Sequence, residues 1–176
     1  MDALKKAEKR MDYEMSKWID LNHCAMALAL HRYWNWGNKR IQDAELEIED
    51  AWMEVAATNE VSMLQLLEEE TGIEIRNHEQ GKSWHDLAFL NATIKMDRMN
   101  KAQWIYMRNR QAEWMRQQTL ACILVGMHRR YGFGTERLVR LINQMNEIID
   151  SEFNQNTKDI IKAAKEEVNF VLKEAK

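Results

Sequence analysis

No proline interrupts this chain, and its six glycines fall only at positions 37, 72, 81, 126, 132 and 134. Proline removes a backbone donor and clashes inside a helix, and glycine weakens one. A chain this poor in breakers, and rich in Leu, Met, Ala, Glu and Lys, runs as helix almost throughout. With 45% hydrophobic and 30% charged residues it can fill a core and keep a solvated surface. These features predict an all-α helical bundle with long helices, packed as one domain.

A second constraint is a stretch that occurs twice. Leu30-His31-Arg32-Tyr33-Trp34-Asn35-Trp36-Gly37 leads to Arg40-Ile41, and Met127-His128-Arg129-Arg130-Tyr131-Gly132-Phe133-Gly134 leads to Arg137-Leu138. An offset of 97 carries one onto the other without a gap. Matched His, Arg, Gly and Arg positions with matched aromatics point to an internally duplicated bundle. The halves are then 1–72 and 84–176, joined by a linker over 73–83.

Apolar periodicity places the elements. A first helix over 3–33 carries Met15, Trp18 and Ile19, and ends in the apolar run from Cys24 to Leu30. Gly37 is expected to take the left-handed turn position, and Asn38 to cap the next helix. That second helix, over 39–70, has the stripe Ile41, Ala44, Ile48, Ala51, Trp52, Val55 and Ala56, with a bend or break at Thr58-Asn59. Ser83 and Asp86 mark a third start, opening a long helix over 84–129. A fourth over 136–152, with Thr135 as its cap, bears Leu138, Leu141, Ile142, Met145, Ile148 and Ile149. A fifth over 157–175 bears Ile160, Ile161, Ala164, Val168, Val171 and Leu172.

Charge is divided unevenly although the net charge is only −3. Eleven acids and no Lys or Arg lie between Ile41 and Glu74, whereas ten basic residues face three acids between Lys95 and Arg140. Such a split can draw the halves together, pair two subunits, or present a basic face to an anionic partner. No stretch is long and apolar enough for a membrane span and no signal peptide is seen, so a cytoplasmic protein with no membrane partner is expected. Two distant cysteines in apolar runs read as buried thiols.

Four readings compete for the repeated turns. In the architectural one, His31 and His128 bond terminal carbonyls, Trp36 and Phe133 plug the turns, and Gly37 and Gly134 shape them. Arg40 and Arg137 oppose the dipole of the next helix and need an acid or a bound anion. In the nucleic-acid reading, Arg129, Arg130, Arg137 and Arg140 around a helix–turn–helix outline contact DNA. In the enzymatic one, Glu45, Glu47, Glu49, Asp50 and Glu54 hold a divalent metal. That stretch resembles the carboxylate helix of the MazG-like nucleotide pyrophosphohydrolases. A convincing second carboxylate pair is missing, and a solvated acidic face is favoured. In the last, the paired turns, each supplying one His and one Arg, frame a pseudo-symmetric site in a binding module for a host protein or a small anionic ligand.

The second copy, His128 to Leu138, also resembles a group of small helical proteins encoded by phages and mobile elements of Gram-positive bacteria, which carry a similar His, Gly-Phe-Gly, Arg-Leu signature. The likeness covers 118–150, with an echo at 21–53, where Asn35-Trp36-Gly37 departs from it. It implies an accessory protein acting on host machinery. The expectation is a non-enzymatic protein, without cofactor or metal, that binds and modulates a host macromolecule, a protein before DNA, with inhibition as one form of that modulation, and that forms a homodimer. DNA-binding regulation is one alternative, and a MazG-like metal-dependent nucleotide pyrophosphohydrolase the other. The candidate contact residues are His31, Arg40, His128, Arg129, Arg130, Arg137 and Arg140.

Overall fold

The structure, a computed structural model, describes residues 3–58, 62–75 and 101–172. Among them it is an all-α bundle. Helix α1 is Ala3–Trp34, α2 is Asn38–Thr58 and α3 is Met63–Thr71. Helix α4 is Lys101–Tyr131, α5 is Thr135–Asn146, a π-helical segment continues it over Glu147–Glu152, and α6 is Thr157–Val168.

The two long helices form the axis. Asn22 of α1 donates from Nδ2 to Thr119 Oγ1 of α4 at 2.5 Å, midway along both. At their C-terminal ends Trp34 meets Phe133 and Trp36 meets Tyr131. Contact at both levels means that α1 and α4 run parallel and in step. The apolar runs Cys24–Leu30 and Ala121–Met127 are buried at this junction, Cys122 alone being half-buried. Helices α2 and α3 pack on α4, whereas α5 and α6 pack on α1. Each long helix is therefore covered mainly by elements from the other half of the sequence, around one contiguous core.

Local chemistry explains most boundaries. The second helix stops at Thr58 and resumes at Met63, where Ser62 accepts a bond from the Gln65 amide at 3.1 Å. Gly72 ends α3 in the left-handed region, with its amide bonded to the Glu68 carbonyl.

Several expectations are corrected. The left-handed position in the first turn is Asn35 at φ 56°, not Gly37, and its counterpart is Gly132 at φ 64°. Asparagine tolerates this region through its short polar side chain. Asn38 and Thr135 begin helices without capping their own. The Asn38 amide donates to the Val168 and Asn169 carbonyls, and the Thr135 hydroxyl to the Thr71 carbonyl, so each closes the end of another helix.

The fourth helix of the sequence reading widens to a π turn after Asn146, which lets the consecutive Ile148 and Ile149 both point into the core. The fifth ends at Val168 because Asn169 turns left-handed at φ 53°. Phe170 then enters the core and Val171 stays exposed. Trp52 and Ala56 are exposed, unlike the rest of their predicted stripe. The linker beyond Ile75, the start at Ser83 and the third helix before Lys101 lie outside the described residues.

Candidate functional site

The two repeated turns meet at one end of the bundle. In each, the histidine one turn before the break bonds the carbonyl of the aromatic residue beyond it: His31 Nδ1 to Trp36 at 3.1 Å, His128 Nδ1 to Phe133 at 2.9 Å. A carbonyl only accepts, so Nδ1 carries the hydrogen in both rings. The Trp36 and Phe133 amides return to the carbonyls of Leu30 and Met127. Both histidines and both aromatic plugs thus close their own turns.

The plugs build a shared aromatic cluster. Trp34 and Phe133 lie 5.0 Å apart between ring centroids, Trp36 and Tyr131 5.1 Å, and Trp36 meets Phe133 edge-on at 6.0 Å. Trp34 Nε1 is satisfied by Gln144 Oε1 at 2.8 Å. Burial, together with the charges of Glu47 and Asp43, pushes the Tyr131 phenol above its ordinary range. Trp36 and Phe133 are almost fully enclosed.

Three arginines rim this cluster. The Arg40 guanidinium sits 3.9 Å from the Trp36 ring centroid, Arg137 5.8 Å from Phe133 and Arg140 5.7 Å from Trp34. All three are exposed, and no acid pairs with them among the described residues. A guanidinium held on a ring keeps its edge donors for a carboxylate or phosphate. The helix dipole disfavours Arg40 and Arg137, and the ring quadrupole offsets that without an anion.

The other two candidate arginines are engaged inside the chain. Arg129 forms a fork with Glu70, through Nε and Nη2, and lowers the carboxyl's pKa. Arg130 lies within 3.4 Å of Glu47, 3.1 Å of Asp50 and 2.5 Å of Glu54. Much of the acidic second helix therefore faces the basic fourth one, and part of the charge split is met within one molecule. No group of three or more His, Cys, Asp or Glu side chains among the described residues is arranged to hold a metal ion. Of the five carboxylates of the MazG-like stretch, Glu47, Asp50 and Glu54 converge on Arg130 and Glu45 meets His23.

Sequence reading missed three cross-links. Arg32 forks to both Glu152 and Glu167 at 2.6 to 3.1 Å. His23 Nδ1 meets Glu45 at 2.6 Å. Asn22 meets Thr119 in the core. The first and third carried a readable signal, because Arg32 aligns with Arg129 and Asn22 with Thr119 at the offset of 97. The His23–Glu45 pair has no such signal, since its aligned positions hold Leu120 and Ile142.

Burial pushes the Cys24 and Cys122 thiols up to about 12, which leaves them unreactive near neutrality. No helix among the described residues is long and apolar enough to cross a membrane. No protein-family model matches the chain, and no curated protein or solved structure is significantly similar to it.

Proposed function

We propose that this is a non-enzymatic binding protein, an accessory protein of a phage or mobile element that docks on a host protein in the cytoplasm and inhibits it. The contact surface is the turn end of the bundle. The observation that carries this reading is the trio Arg40, Arg137 and Arg140, exposed on an aromatic cluster with no acidic partner among the described residues. Aromatic and arginine side chains are the groups that dominate protein-interface energetics. The resemblance of His128 to Leu138 to phage-encoded proteins supports the host-directed role.

A partner with surface carboxylates fits better than a nucleic acid. Helix α2, which starts at the same end, carries Asp43, Glu45, Glu47, Glu49, Asp50 and Glu54 against Lys39 and Arg40, and this excess of negative charge, only partly offset by Arg130, would repel a continuous polyanion. The homodimer expected from abundant tryptophan and methionine, the long third helix and the charge split together loses part of its motive, because the last of these is partly met within the chain, where Arg129 and Arg130 are paired. The single chain is the proposed binding unit.

The test is affinity capture from a Gram-positive bacterial lysate, with and without nuclease, using the parent, Arg40→Glu/Arg137→Glu/Arg140→Glu, and the distant control Lys162→Glu. The triple variant should lose the captured protein, with binding at least about tenfold weaker, while the control keeps it. Retention by the triple variant sinks the assignment of this surface. Loss on nuclease treatment transfers it to the DNA-binding alternative.

A further inference from the structure

We propose that the docked partner is itself twofold symmetric: a protein presenting a matched pair of carboxylates about its own dyad, which one copy of this chain caps. This rests on the reading that the turn end is the contact surface, and names the kind of partner it fits.

The contacts obey a twofold rule. Arg32 binds Glu167, and Arg129 binds Glu70. Asn38 donates to the Val168 carbonyl, and Thr135 to the Thr71 carbonyl. Trp34 lies tilted against Phe133, and Tyr131 against Trp36. In each case, moving one partner forward by 97 and the other back by 97 turns the first contact into the second. Two further contacts, Asn22 with Thr119 and Trp36 with Phe133, join a residue to its own equivalent. Such contacts lie on the axis. It therefore runs between the parallel helices α1 and α4 and leaves the molecule between Trp36 and Phe133.

Arg40 and Arg137 are equivalents that flank this exit, each over the aromatic ring of its own turn. Gly37 and Gly134 are equivalents beside them. Neither takes a positive φ, and a Cβ built on either meets nothing within 4 Å. Both stand at a helix N-cap, which glycine commonly fills, and both leave open space beside the turn. Beside these pairs the equivalence lapses, with Lys39 matched to Glu136 and, one turn on, Asp43 to Arg140, so the third arginine of the trio lies outside the twofold. Arginine is thus repeated on both sides of the axis where a symmetric partner would touch it, with open space beside each turn for its approach, whereas a partner without symmetry would use the two sides differently.

The test uses the full chain and a defined probe: a hexaglutamate peptide on a flexible Gly-Ser linker, as a monomer and as a dimer joined at the linker ends. Titration by calorimetry at low ionic strength gives affinity and stoichiometry. The dimeric peptide should bind one chain, roughly 10²-fold more tightly than the monomeric peptide, because the second contact becomes intramolecular. Arg40→Ala and Arg137→Ala, each shown by circular dichroism to melt as the parent does, should both remove that gain. Two chains per dimeric peptide, with no gain in affinity, overturn the twofold inference and leave the binding surface standing. Binding by neither peptide overturns both. Binding only by a 20-base-pair palindromic duplex overturns both in favour of nucleic acid.

Discussion

At the residue scale, the same side chain type does different work according to its neighbours. His31 and His128 spend Nδ1 on a turn carbonyl, whereas His23 spends it on Glu45. Arg32, Arg116, Arg129 and Arg130 on the long helices find acids, while Arg40 and Arg137, beginning α2 and α5, find rings. Among the described glycines, Gly126 has the least room to change. A Cβ there would come within 2.6 Å of Ile48 Cγ1 and 2.9 Å of Ile48 Cα, so backbone as well as side chain would have to yield. Gly126→Ala gains helix propensity, but the overpacking it causes costs about 1–3 kcal/mol. Chemical denaturation should show net destabilisation. A variant as stable as the parent would mean that α2 and α4 slide apart freely at this crossing.

At the scale of elements, the parallel pairing of α1 and α4 turns on one buried polar contact. Asn22 Nδ2 donates to Thr119 Oγ1, and the threonine hydroxyl is also placed to donate to the Met115 carbonyl at 2.8 Å. Both residues are buried among apolar neighbours. A polar pair in such a place penalises every register that separates it, so it selects the in-step arrangement more than it stabilises it. Asn22→Leu/Thr119→Val should therefore unfold within about 1 kcal/mol of the parent, since both partners are removed together. Light scattering should then show a mixture of assembly states. Loss of several kcal/mol with a uniform mass would show instead that the pair stabilises without specifying register.

At the scale of the whole molecule, the turn end is tied down by two equivalent clamps. Arg129 holds Glu70 at the end of α3, and Arg32 holds Glu167 near the end of α6. Hydrogen bonding to the arginine lowers each carboxyl from its ordinary 4.5. A lowered native pKa means that the unfolded chain takes up protons first as pH falls. The stabilisation is present above 4.5 and disappears as pH drops through the lowered native value. Glu70→Gln/Glu167→Gln should flatten the fall in melting temperature below that pH, relative to the parent. Equal acid sensitivity in both proteins would show that other carboxylates govern acid unfolding.

Helix content was legible because it depends on local chemistry: absent proline, sparse glycine, and apolar residues at steps of three and four. The buried runs Cys24–Leu30 and Ala121–Met127 were legible for the same reason, as were the two turns and their plugs. The sequence alone also determined that the turns are alike, since an offset of 97 is a property of the string. Tertiary structure decided what that likeness does. Which acid meets Arg129 or Arg130, and that Asn38 and Thr135 close helices distant in the chain, are set by contacts across 59 to 130 positions. No local pattern encodes those distances. Left-handed Asn35 in place of Gly37, the π turn at Glu147 and the early stop at Val168 have the same origin. In each, burial of Trp36, Ile148 with Ile149, or Phe170 selects among backbone conformations that the local sequence leaves nearly equal in energy.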